Sequence, residues 1–169
     1  MGPITLPNSW IAEDDFSLAV SLLPLVSIDL LVLNQQHQLL LGLRNNAPAQ
    51  DWWFSPGARI RKNESLPLAM QRIWQEELGQ SIPWPVKPQL LGAWDHFYSN
   101  SRFDESISTH YVNLPHFVPL READPWDESA LPLDQHREWR WMNLQDVIES
   151  SEVHEYVRVY AQELLKLFS

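Results

Sequence analysis

The sequence predicts an α/β sandwich, with helices packed on a mixed sheet. Three observations predict it. Short leucine-, valine- and isoleucine-rich runs recur on both sides of the middle of the chain, a segment of clear helical periodicity occupies that middle, and a second one closes the chain. At 169 residues and 44% hydrophobic content the chain can bury a real core, and a single domain over residues 1–169 is expected. No internal repeat or linker divides it.

Taken in order, Glu13 to Leu23 reads as a short helix and Leu25 to Leu33 as a strand. Asn34 to His37 turns the chain into a hairpin partner, Gln38 to Leu43. Trp52 to Ile60 is an extended entry to the central helix. Leu90 to Tyr98 and His110 to Leu120 are two further strands, and Trp139 to Met142 is a short one. Val153, Val157, Tyr160, Leu164 and Phe168 fall at helical spacing in a last helix, Val153 to Phe168. The Pro- and Asp-rich stretch from Arg121 to Arg137 is the longest without a periodic pattern, and such loops in compact domains are usually functional or disordered.

The central helix carries the most chemistry. Ser65 is its candidate cap, Pro67 is tolerated in its first turn and Gly79 supplies the stop. Leu66, Ala69, Met70, Ile73 and Leu78 form its apolar stripe. Glu77, four residues after Ile73 and seven after Met70, lies along that stripe, where a carboxylate needs a cation. Glu76 falls instead on the row of Arg72, where a helix-surface ion pair accounts for it.

This stretch resembles the box of the Nudix hydrolases, G-x5-E-x7-R-E-U-x-E-E-x-G-U with U aliphatic. The match runs through Ala58, Glu64, Arg72, Ile73, Trp74, Glu76, Glu77, Gly79 and Gln80. Ala58 replaces the first glycine, Ile73 replaces the glutamate after the arginine, and Trp74 and Gln80 stand at aliphatic positions. The GDP-mannose mannosyl hydrolase branch also has an apolar residue at the position of Ile73. The similarity to that branch continues through PLVSIDLLVLN (Pro24 to Asn34), LLLGLRNNAPAQDWWFSPG (Leu39 to Gly57), GAWDHFYSN (Gly92 to Asn100), STHYV (Ser108 to Val112) and LPLDQHREWRWM (Leu131 to Met142).

The resemblance implies a Nudix-type α/β/α sandwich and Mg²⁺-dependent hydrolysis of a GDP-hexose, GDP-mannose or GDP-glucose, to GDP and free sugar, with Mn²⁺ as the other candidate ion. It implies metal ligation by the Gly57 carbonyl, Glu77 and Gln135, with Glu76 a further possible ligand. His136 becomes the general base, working with Arg44 and Tyr111. Arg44, Arg59 and Tyr111 match positions near the diphosphate, Asp29 and His96 positions toward the sugar, and Arg72 the arginine that braces the helix. Asp29 interrupts an otherwise buried apolar run, which argues against an idle edge position. Two other readings stay open. Glu76 fits a Nudix pyrophosphohydrolase that cleaves between the phosphates. Ala58, if its position needs φ > 0, fits a nucleotide-sugar-binding protein whose catalysis has weakened.

Composition narrows the classes independently. A net charge of −10 disfavours a nucleic-acid partner, since phosphate tracking needs clustered Lys and Arg. With no cysteine there is no disulfide framework, thiolate metal site or cysteine nucleophile. Leu18 to Leu33 is apolar but interrupted by Pro24 and Asp29, and the start lacks a basic signal-peptide region, so a soluble cytoplasmic protein without a membrane partner is expected. The resemblance adds a homodimer. Read without the family, His136 is a surface-loop histidine; His37, His116 and His154 match no site position, and His110 beside Tyr111 is ambiguous. Trp10, Trp74, Trp84, Trp94, Trp126, Trp139 and Trp141 are expected to pack, while Trp52 and Trp53 open the box loop.

Overall fold

The structure is a computed structural model that describes residues 11–81 and 87–168. Trp10 and Trp84 lie outside the described residues. The elements follow as α1 (Glu13–Leu22), β1 (Leu25–Leu33), β2 (Gln38–Arg44), β3 (Trp53–Phe54), β4 (Gly57–Arg59), α2 (Leu66–Leu78), β5 (Gln89–Leu90), β6 (Trp94–Tyr98), β7 (Thr109–Asn113), β8 (His116–Pro119), β9 (His136–Asn143), α3 (Leu144–Glu149) and α4 (Glu155–Leu167). This is the expected α/β sandwich with a mixed sheet.

The sheet is built around β1. Ser27, Ile28 and Asp29 pair antiparallel with β4 while Leu25 to Ser27 pair parallel with β7. Further along, Leu30 to Leu33 pair parallel with β8, and Leu33 pairs antiparallel with β2. Strand β6 extends the sheet beyond β7, β5 beyond β8, and β2 carries both β3 and β9. The apolar run of β1 is long because both faces are covered. Ile28, Leu30, Val32 and Leu40 meet Ala69, Ile73, Trp74 and Leu78 of α2 on one side. Leu31, Leu33, Leu39 and Leu41 meet Leu144, Val147, Val157, Tyr160 and Leu164 of α3 and α4 on the other.

Several predicted elements are divided. The strand expected over His110 to Leu120 breaks into β7 and β8 at Leu114 and Pro115, since proline has no amide hydrogen for the ladder. The break is local: Ser27 pairs with Asn113 and Leu30 with His116, so the register carries through. Trp52 to Ile60 divides into β3 and β4 around Pro56, whose carbonyl accepts from the Leu30 amide at 2.8 Å. Leu90 to Tyr98 likewise divides into β5 and β6. Strand β9 begins three residues before the expected Trp139, and α3 had no counterpart in the sequence reading.

Helix α2 ends as expected, on a left-handed Gly79 (φ 65°) whose amide bonds the Gln75 carbonyl at 3.1 Å. Its start differs. Ser65 occupies the cap position, but its side chain makes no capping hydrogen bond. The 121–137 stretch contains a short 3-10 turn, Glu128–Ala130, packed against the end of α2. A Cβ on Gly79 would stand 2.0 Å from the Ala130 carbonyl oxygen. Gln80, where the box has an aliphatic residue, is the tether: its Nε2 donates to the Asp127 carbonyl at 2.8 Å and its Oε1 accepts from the Asp127 amide at 3.0 Å.

Replacing Gln80 by leucine removes both partners from Asp127 and is expected to lower stability by about 1–3 kcal/mol in urea unfolding, the cost of buried backbone groups left unpaired. An unchanged midpoint would show that the 121–137 stretch is held by other contacts.

Candidate active site

A cleft of about 580 Å³ opens where β2, β4, β7 and the end of α2 meet, walled by Arg44, Gly57, Arg59, Glu77, Tyr111 and Gln135. A smaller chamber shares Arg44, Gly57, Arg59 and Tyr111 with it and adds Asp29, His96, Tyr98 and Asn113. Eight of the predicted site residues therefore converge on one connected space.

Its inner wall rests on a close approach of two strands. Gly57 pairs with Asp29, and a Cβ on Gly57 would lie 2.3 Å from Asp29 Oδ1 and 2.5 Å from the Ile28 carbonyl oxygen, so only glycine fits. Asp29 is buried inside the sheet and accepts from the Ser55 hydroxyl at 3.1 Å. Burial pushes its carboxyl up to about 6, with Asn113, Ser55 and Arg44 opposing.

Glu77 is the second buried carboxylate. It is 9% exposed, borders the cleft, and has no ion pair or hydrogen bond from its side chain among the described residues. Burial pushes it up to about 7; Arg44 opposes that and Glu76 adds to it. Glu76, half-exposed, is taken up by Arg61 at 3.1 Å and Arg72 at 3.2 Å, so the expected Arg72–Glu76 pair is present. Arg72 also grips Glu64 with two bonds of 2.7 and 2.8 Å and donates to the Arg59 carbonyl at 3.0 Å, tying α2 to the loop before it.

The cations are arranged differently. Arg44 donates through Nε to the Pro48 carbonyl at 3.2 Å, and Arg59 lies 4.4 Å over the Phe16 ring of α1. Arg102, 4.9 Å over Phe103, borders the same cleft. Among the described residues none of these three has a carboxylate within salt-bridge distance. Burial, with Arg61 and other cations nearby, lowers the Arg59 guanidinium below its ordinary value, while burial raises the Tyr111 phenol. In a chain of net charge −10, three unpaired guanidinium groups facing one cleft make a local anion site.

Two expectations change. His136 is no loop residue: it opens β9 opposite Arg44, 1% exposed, against Trp139 at 4.5 Å between ring centroids. A Cβ on Gly42 would stand 2.4 Å from its Cδ2, so the ring fills the space that Gly42 leaves. Its Nε2 is buried without a partner among the described residues, and burial, then Arg44, lowers its pKa to about 3. Gln135 reaches the cleft; His136 does not line it. Ala58 sits in β4 opposite Ile28, and its φ is not positive, so no backbone strain attaches to the missing glycine. The support that Ala58 lent to a weakened site is therefore removed.

Sequence reasoning passed over Tyr98, Asn113 and Arg102. Two of them had a signal: Tyr98 follows His96 and Asn113 follows Tyr111 by two residues, the spacing that puts side chains on one face of a strand. Arg102 lies outside any strand and had none. Trp52 and Trp53 border a separate depression with Arg137 and Glu152, away from the cleft.

Comparison with known proteins places this architecture. The NUDIX domain model matches residues 23–163. The chain is 37% identical over 131 residues to the low-salt glycan biosynthesis protein Agl8 of Haloferax volcanii, covering 77% of this chain and 78% of that protein. In fold it resembles the MutT protein from Methanosarcina mazei Go1 (TM-score 0.65, 17% identity, 86% of this chain and 96% of that one). It also resembles the NUDIX domain of Shewanella oneidensis NrtR complexed with ADP ribose (TM-score 0.62, 16% identity, 94% and 100%). The family match over most of the chain, the box on α2 and the cleft that it borders agree, and the chain belongs to the Nudix hydrolase family.

Proposed function

We propose that the protein hydrolyses a GDP-hexose, GDP-mannose or GDP-glucose, at the anomeric carbon, releasing GDP and free sugar. The observation that carries this is the division of one connected space into a cationic part and a smaller polar chamber. Arg44, Arg59 and Tyr111 stand between the two, where a diphosphate joined to a sugar would lie. The relation to a protein named for glycan biosynthesis supports a sugar-bearing substrate.

Nudix hydrolases use divalent metal ions, and the residues here fit Mg²⁺, with Mn²⁺ the alternative. Glu77 is a buried carboxylate in want of a cation, and Gly57 and Gln135 border the same cleft with neutral oxygens. Mg²⁺ retains several waters, so few protein ligands are needed. When bound, the ion supplies positive charge to the departing diphosphate. Arg44 and Arg59 add to that charge, and Asp29 and His96 orient the hexose.

The base is His136 in this reading, and its position sets a condition. The ring must turn out from Gly42 and Trp139 to reach a water above the anomeric carbon. The ladder between β2 and β9 is irregular between Gly42 and Arg44, beside this residue, which is where a strand end can re-aim a side chain. Cleavage between the phosphates is the second reading, resting on Glu76, which lines a neighbouring depression that shares Arg59, Glu77, Arg102 and Gln135 with the cleft. That carboxylate is already held by Arg61 and Arg72. The proposal takes residues 1–169 as one catalytic domain, a cytoplasmic homodimer with no nucleic-acid partner. No helix among the described residues is long and apolar enough to cross a membrane.

Glu77→Gln tests the metal without turnover. In metal-free buffer the variant should be as stable as wild type or more so, because a buried charge is removed. Millimolar Mg²⁺ should raise the wild-type Tm and leave the variant unmoved; equal responses would reject Glu77 as a ligand. In ¹⁸O-labelled water the label should enter the released sugar and leave GDP unlabelled. A sugar phosphate with GMP would instead establish cleavage between phosphates. With the wild type, His136→Gln should lower kcat by roughly 100- to 10,000-fold with little change in KM, and near-normal turnover would remove His136 as the base.

A further inference from the structure

The His96 ring is held from two directions. It lies flat on Tyr156, with centroids 3.8 Å apart and planes 3° from parallel, and is 1% exposed. Tyr156 is fixed in turn, its hydroxyl donating to the Phe97 carbonyl at 3.0 Å and accepting from the Phe97 amide at 2.8 Å. Those backbone groups belong to β6, the last strand on that side of the sheet, and the phenol takes the place of a further strand. The edge of the His96 ring meets Tyr160, whose hydroxyl oxygen is 2.6 Å from Nε2.

Counting protons decides the tautomer. Tyr160 is fully buried, and burial keeps its phenol protonated. Its hydroxyl has no other hydrogen-bond partner among the described residues. Were Nε2 to carry the ring hydrogen, Tyr160 would accept it and leave its own proton buried without an acceptor. Tyr160 therefore donates, Nε2 presents its lone pair, and the hydrogen of the neutral ring resides on Nδ1. Nδ1 has no partner among the described residues, and His96 lines the smaller chamber with Asp29, Tyr98 and Asn113.

We propose that Tyr160 is a positioning residue that locks His96 as the Nδ1–H tautomer, giving the chamber an uncharged donor for a hydroxyl oxygen of the bound hexose. The hexose contact rests on the GDP-hexose reading above; the lock rests on the protein alone. A donor fixed in this way, beside Asp29 as an acceptor, gives the chamber one group of each kind for a sugar hydroxyl.

The test has two arms. In protein labelled with ¹⁵N-histidine, long-range ¹H–¹⁵N spectra, assigned with His96→Gln, should show Nδ1 protonated and Nε2 bare in the wild type. Tyr160→Phe should populate the Nε2–H form. A wild-type spectrum with Nε2 protonated overturns the lock even if no variant folds, and so does a folded Tyr160→Phe protein with the wild-type tautomer. By calorimetry, Tyr160→Phe should bind GDP-mannose roughly 3- to 10-fold more weakly and GDP unchanged, the loss expected for one hydrogen bond. Equal weakening of both ligands overturns the hexose contact. A wild type that shows the lock but binds no GDP-hexose overturns the proposed substrate and the hexose contact together, and leaves the lock established.

Discussion

The site depends on how closely β4 runs beside β1. Opposite Asp29 the two strands leave no room for a Cβ on Gly57, and the Asp29 carboxylate reaches the wall of the smaller chamber from the middle of the sheet. Gly57 lines both the cleft and the smaller chamber, so the same contact shapes a wall of each. Strand β1 can carry an ionisable residue there because its remaining residues are covered on both faces. The rigidity of that double-sided core holds Asp29 against Gly57 and Ser55.

Charge is distributed to match. The chain is strongly acidic, yet Arg44, Arg59 and Arg102 face the cleft without carboxylate partners among the described residues, while Arg61 and Arg72 are spent on Glu64 and Glu76. One set of arginines builds the scaffold and the other remains available to an anion. Asp29 and Glu77, both bordering this space, are raised by burial, and each sits where a ligand or ion would offset its desolvation. In the smaller chamber His96 is lowered to about 3 by burial, with His154 adding to the effect, so its ring is neutral at neutral pH.

The departures from the Nudix box have structural reasons. Ile73 and Trp74 are fully buried in the interface between α2 and the sheet, Trp74 against Trp126 at 5.7 Å with its Nε1 donating to the Ser81 carbonyl at 3.1 Å. Gln80 exchanges an aliphatic contact for two hydrogen bonds that moor the 121–137 stretch. Ala58 lies in ordinary strand geometry and packs against the core beside α2. Each exchange keeps the helix in place by another interaction, and none removes Glu77 from the cleft.

Periodicity and spacing were enough for helices α1, α2 and α4 and for the rough placement of the strands, though not for α3 or the breaks within strands, and for Glu77 on the buried row of α2, the Arg72–Glu76 pair and the stop at Gly79, because each depends on neighbours within a few residues. The family resemblance supplied the residues that the fold then gathered from β1, β2, β4, β6, β7 and the segment before β9. What the sequence by itself could not determine lies in contacts between distant segments. Pro115 splits a strand without disturbing its register, and Tyr160, some sixty residues from His96 along the chain, meets its Nε2 across the core. His136 looked like a loop residue because nothing near it in the chain marks burial; Gly42, on another strand, makes the space that it fills. Local spacing determines which face a residue takes on its own element, and only packing between elements decides what that face meets.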